Sequence, residues 1–256
     1  MSVELNVKSR ALAAAVHLGL SLLVAALAAL LVFKVWYPFP YNQVSGGSQL
    51  FLLVVTVDVI LGPLLTFAVF NRAKARHELV RDLAVIGLLQ LAALLYGLWA
   101  VAVARPVYLV HEVDRFKVVT AVDIDHPDLS GAQPEFRQLP WFGIRTIGVR
   151  EARDSDEKLK SIDMAMAGRD VAVRPEWWQP LSDNNRATIR QRGKPMAFVR
   201  QRAPKGDTEL DRILRQAGLT DEQVIALPLV ARTSNWSVLL DKRDLKIIGY
   251  VPVDLF

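Results

Sequence analysis

The chain has 256 residues, of which 52% are hydrophobic, and its mean hydropathy is +0.24. It contains no cysteine, which excludes disulfides, a thiol nucleophile and cysteine-ligated metal. The net charge is +5. The basic residues are interspersed with acids, and much of the excess borders apolar runs. Membrane topology therefore explains the charge better than nucleic-acid binding does.

Lys8 and Arg10 precede an apolar run over residues 11–33. A secretory leader also starts basic, but its apolar part is only about 7–15 residues. This run is long enough to span a bilayer, which takes about 20, and no small-x-small cleavage site follows it. It is expected to be an uncleaved first span. Residues 50–70 and 83–103 are the second and third spans. The loop between them carries Arg72, Lys74, Arg76 and Arg81, whereas Lys34 is the basic residue between the first two. Positive charge is retained in the cytoplasm. The N-terminus and the Arg72–Arg81 loop are thus inside, and residues 104–256 are outside, which in a Gram-negative cell is the periplasm. Trp36, Tyr37, Pro38 and Tyr41 form a collar of rings suited to the outer interface, and Tyr96 and Trp99 suit the same layer.

Each span carries a stripe of small or polar residues: Ala13, His17, Ser21 and Ala25; Asp58, Gly62 and Thr66; Gly87, Gln90, Ala93 and Gly97. Such faces bring helices together in lipid. At about 1.5 Å per residue, His17 and Gln90 lie about 10 Å from the cytoplasmic end and Asp58 about 18 Å from it. That separation argues against a simple Asp58–His17 ion pair. Asp58 is read as an interhelical hydrogen-bonding group, to Ser21 or Gln90, ahead of a contact with a partner helix or an ion path. Gly62-Pro63 is expected to bend its helix.

The outer part, 104–256, reads as one α+β domain, with an antiparallel sheet and helices to one side. Strands are predicted at 106–112, 116–124, 144–149, 226–231, 236–241 and 245–251. Helices are predicted at 155–167 (capped by Ser155), 183–192 and 207–217, and Thr220 with Gln223 reads as a capping box. Asp123, Asp125, His126 and Asp128 resemble a hard-cation cluster or a glycosyltransferase-type Asp-x-Asp. An Asx-rich turn is the preferred reading, because no glycine-centred loop or distal Glu completes a calcium site. His111 and His126 are more simply incidental than a pair. Trp177-Trp178 reads as core before it reads as a binding platform, and the basic stretch 186–194 reads as a solvated helix face before it reads as a headgroup contact. No catalytic, cofactor-binding or metal-binding residues stand out.

The run WYPFPY…SGG…LF.LV..VD.ILGPLLTFAVFN at 36–71, Val80-Arg81-Asp82, and ARPVYLVHEVDRFKVV at 104–119 together resemble the TfpX/TfpZ-type type IV pilin accessory proteins. The likeness is strong over about residues 30–125. It implies an inner-membrane, chaperone-like protein that assists assembly of a cognate type IV pilin. Its partners would be that pilin and the membrane lipids, with no nucleic acid, no cofactor and no catalysis. A pilin waits in the membrane as a single helix with an acid near the cytoplasmic end of its apolar segment, so the stripes would form its groove, with His17 or Gln90 at matching depth. The rival expectations are a membrane enzyme that modifies pilin and a membrane-anchored periplasmic binding or sensor protein.

Overall fold

The computed structural model describes residues 2–71, 73–204 and 208–256. Arg72 of the basic loop and Asp207, the predicted start of a helix, lie outside them. The chain forms two compact units. One holds the residues up to Asn42 together with Gly46–Ala104. The other holds Gln43–Ser45 together with Arg105–Phe256.

In the first unit, α1 (Ser2–Leu30) runs on through a wider π turn at Leu31–Trp36. A short α2 (Tyr41–Val44) follows, then α3 (Gly47–Val69) and α4 (Arg76–Val103). Among the described residues, these are three helices long and apolar enough to cross a membrane. Pro63 lies within α3. The outward surfaces are apolar almost all round, with Leu12, Leu20, Leu53, Leu64, Leu88 and Leu95 each more than half exposed. A helix of that kind suits a hydrocarbon surrounding. α3 packs against both α1 and α4, while α1 and α4 barely meet among the described residues. The helices thus make an open layer with α3 in the middle. One end is closed by a cluster of Ala28, Val32, Tyr37, Phe51 and Val101.

The second unit is built on an eight-stranded sheet among the described residues. Its strands are β1 (Pro106–Glu112), β2 (Arg115–Thr120), β3 (Arg145–Val149), β4 (Trp178–Gln179), β5 (Lys194–Pro195), β6 (Val224–Val230), β7 (Trp236–Asp241) and β8 (Ile247–Val251). The order is β4-β3-β1-β2-β6-β7-β8, with β5 added on β6. The helices are α5 (Ser155–Met166), α6 (Asp183–Arg192), α7 (Met196–Arg202) and α8 (Thr208–Ala217). The sheet is mixed rather than antiparallel: β1 runs parallel to β3, and β2 runs parallel to β6 at Phe116–Leu229 and Lys117–Val230. Buried on both sides, β1 has no exposed position along its length, which is the pattern of an interior strand.

Several boundaries shift for local reasons. The second predicted strand ends at Thr120, because the Asp123 carboxylate accepts from the Thr120 amide and hydroxyl and turns the chain. Asp154, not Ser155, caps α5 by accepting from the Glu157 amide at 2.7 Å. The Thr220–Gln223 box forms as expected, Gln223 accepting from the Thr220 amide at 2.9 Å. The sheet carries two cores. In the first, Tyr108, Phe136 and Trp178 pack ring to ring at 4.9–6.2 Å, and the Trp178 indole donates to the Ala172 carbonyl at 2.8 Å. In the second, α7 and α8 cover β6–β8 with Met196, Val199, Leu210 and Ile213.

Trp178 is fully buried and Trp141 is 61% exposed. Urea unfolding of the detergent-solubilised chain should therefore show Trp178→Ala losing about 3–5 kcal/mol, whereas Trp141→Ala should stay within about 0.5 kcal/mol of the parent.

Candidate functional site

The polar residues of the helical layer divide into two seams. In the first, His17 Nδ1 lies 2.5 Å from Thr66 Oγ1, joining α1 to α3. Thr66 is 2% exposed, so its hydroxyl depends on that ring. In the second, Gln90 of α4 donates to the main-chain carbonyl of Asp58 at 3.1 Å. The glutamine lies directly over Gly62, in space that a Cβ there would occupy. Gln90 thus meets Asp58, but through the backbone and not the carboxylate. Ser21 is half-buried and does not supply that bond among the described residues. Asp58 and His17 make no ion pair among the described residues, although they are near enough to influence each other electrostatically. Gly97 receives Val54, while Gly87 has no neighbour within 4 Å of where a Cβ would stand.

The first seam lies in an open groove of about 460 Å³. Ser9, His17 and Thr66 are its polar members, and Leu12, Val16, Leu20, Phe70 and Leu83 supply its apolar walls. Its surface is apolar apart from Ser9, Thr66 and the His17 imidazole.

The collar is mostly packing. The Tyr37 ring is fully buried over Gly47, and its hydroxyl donates to the Val101 carbonyl at 3.0 Å. Tyr41 is 6% exposed, its amide donating to the Pro38 carbonyl at 2.8 Å. Trp36 is half-buried against the same cluster. Of the five aromatic rings expected at the interface, Tyr96 and Trp99, 5.8 Å apart, face outward, and each is more than half exposed.

In the sheet unit the acid cluster is spent internally. Asp123 holds the Thr120 turn, and Asp125 and Asp128 pair with Arg169 at 3.2 and 2.6 Å. Among the described residues no group of three or more His, Cys, Asp or Glu side chains is placed to hold a metal. His111 is buried in β1, whereas His126 is exposed on its turn. Arg186 and Arg190 of the basic stretch donate to carbonyls of the β7–β8 turn.

A second concavity, a polar cleft of about 580 Å³, was not legible in the sequence, because it is assembled from three distant segments. His111 lies in it beside Trp177, with Arg150, Lys158, Asn184 and Arg192 around them. Among the described residues, neither ring nitrogen of His111 nor the Trp177 indole nitrogen has a hydrogen-bond partner. Two guanidinium groups lie against the Trp177 ring, Arg150 at 4.3 Å and Arg174 at 5.2 Å. Arg150 also forks onto Glu157 at 2.9 and 2.7 Å, and this, with the Arg153 amide, holds the Glu157 carboxyl down at about 2. Burial lowers the His111 pKa to about 4, and nearby Asp114 opposes that only in part. The ring is therefore a neutral hydrogen-bonding group.

The family description "Fimbrial assembly protein FimB" matches residues 5–46. Over 244 residues, 94% of each chain, the sequence is 40% identical to the "Fimbrial assembly protein, serogroup I" of Dichelobacter nodosus. It is 38% identical, over the same shares, to the serogroup E1 protein of that organism. A third relative, from serogroups C1 and C2, is 45% identical over 109 residues, 43% of this chain and 83% of its own. No solved structure matches the chain.

The neutral His111 sets a pH dependence. Between 6.5 and about 4 the unfolded chain binds a proton that the folded one does not. The stability contributed by the neutral ring is therefore full above pH 6.5 and is lost as the pH falls towards 4. Adjacent Glu112 has its pKa raised, chiefly by burial and then by Asp170, and acts in the opposite direction. Glu112 is common to the parent and to His111→Leu, so the difference between their unfolding curves isolates His111. On acidification through that window the difference should shift against the parent by about 3 kcal/mol. A flat difference would mean the ring is not buried neutral.

Proposed function

The chain belongs to the fimbrial assembly protein FimB family, and on that premise we propose that it assists assembly of a type IV pilin by receiving the pilin's apolar helix within the membrane. The three apolar helices are the anchor in the inner membrane, with the N-terminus cytoplasmic and the sheet domain periplasmic. The relatives' names, "fimbrial assembly protein", support the process. The groove at the His17–Thr66 seam carries the mechanism. It is open, its walls are apolar, and its one titratable group is His17. An acidic side chain on a client helix is costly in lipid unless it meets such a partner. Gln90 is the weaker candidate, because its amide already bridges α4 to α3.

The role is that of a holder, with no catalytic step. Retaining the subunit helix beside α1 keeps its apolar surface from non-productive association until it is passed on. A second contact by the sheet domain, through the polar cleft, would add avidity even if each contact were weak.

A photo-crosslinking residue at Val16 in the groove wall should capture the fimbrial subunit in cells. The same residue at Leu95, an outward position on α4, should not. Capture at neither, with capture from the sheet domain alone, would overturn the groove. A strain lacking the gene should lose surface fimbriae while keeping the subunit. If the subunit disappears instead, the protein guards subunit stability and not assembly. His17→Leu should cut surface fimbriae several-fold, and Gln90→Leu much less.

A further inference from the structure

The sheet unit takes up the chain at two places that border apolar helices in the sequence. Gln43–Ser45 ends two residues before α3 begins at Gly47, and Arg105 stands two residues after α4 ends at Val103. Within the unit each place is tied to a loop. The Thr233 amide and hydroxyl donate to the Val44 carbonyl at 3.1 and 2.8 Å. Arg105 donates through Nε and Nη2 to the Pro140 carbonyl at 3.3 and 3.0 Å, and its guanidinium lies 4.4 Å over the Trp141 ring.

The loop that Arg105 holds is unusual for a water-facing surface. Trp141 is 61% exposed and Phe142 is 75% exposed, at consecutive positions. Gly143, at φ +71°, turns the chain behind them. Consecutive Cα atoms are about 3.8 Å apart, so Arg105 lies within about 8 Å of the last residue of α4, whatever the angle between the two units. The aromatic tip is therefore carried by a residue pinned to the end of an apolar helix. Aromatic rings at that level settle in the interfacial layer of a bilayer.

We propose that the Pro140–Gly143 loop is a lipid-contacting element, with Trp141 and Phe142 seated in the interfacial layer of the phospholipid leaflet from which α4 emerges. This rests on the reading of α1, α3 and α4 as membrane spans. Arg105 is a positioning residue: it fixes the loop carbonyl and stacks on Trp141, so the two rings enter together.

The absence of cysteine makes single-site spin labelling direct. The full chain, carrying Phe142→Cys with a nitroxide, is reconstituted into phosphatidylethanolamine–phosphatidylglycerol vesicles. Collision with oxygen is then compared with collision with a water-soluble nickel chelate. Leu95→Cys on α4 is the membrane reference, and Met166→Cys, at a residue 84% exposed on α5, is the aqueous one. The oxygen-to-nickel ratio at residue 142 should be several-fold above that at 166 and nearer to that at 95. A ratio at 142 equal to that at 166, with 95 still reading lipid, overturns the loop proposal and leaves the spans intact. A label at 142 that is immobile and shielded from both reagents overturns it in favour of a protein contact. If residue 95 itself reads water, the span reading fails and takes this proposal with it. Arg105→Gln should lower the ratio at 142 without altering the one at 95.

Discussion

The helical layer is held together where side chains are missing. Gly47 makes room for the Tyr37 ring, Gly62 for the Gln90 amide, and Gly97 for Val54. In lipid there is no hydrophobic drive to pair apolar helices, so close approach and a few hydrogen bonds must supply the attraction. α3 provides both, facing α1 through Thr66 and α4 through Gly62 and the Asp58 carbonyl. With its two sides occupied by different neighbours, α3 leaves α1 and α4 apart. The open layer, and the groove beside His17, follow from that division.

The sheet unit solves a different problem. β1 is interior on both faces and both edges, so it must accommodate His111 with nothing to bond its ring. The result is an imidazole kept neutral by burial, next to a tryptophan contacted by two arginines. Hydrogen-bonding groups are thus presented without charge, while Lys158 and Arg192 supply charge at the same cleft. The acids that looked suggestive in sequence serve instead to close turns and pair with Arg169.

Much of the architecture was legible because its signals are local. Apolar runs of span length, the strands at 106–112 and 236–241, and the helix at 183–192 are written in contiguous residues. The parallel pairings were not, since nothing near Tyr108 or Phe116 announces that Arg145 or Leu229 will lie alongside. The collar was misjudged for a related reason. A tyrosine beside prolines at the end of a span has the composition of an interfacial ring, but the glycine ten residues later decides that Tyr37 is core. His17 stood out in the sequence as a polar residue in an apolar run, yet its partner Thr66 could be identified only once α1 and α3 were laid together. The cleft around His111 had no sequence signature at all.

The clasp between Thr233 and Val44 links residues 189 positions apart. A chain emerging from the ribosome exposes Val44 long before Thr233 exists. Domains otherwise form in the order in which they are made, but here the Gln43–Ser45 segment must wait until α3, α4 and most of the sheet have been synthesised. The clasp is consequently a late event in synthesis, since Val44 gains this partner only after the two long helices and most of the sheet have been made. Until then the sheet lacks this strut.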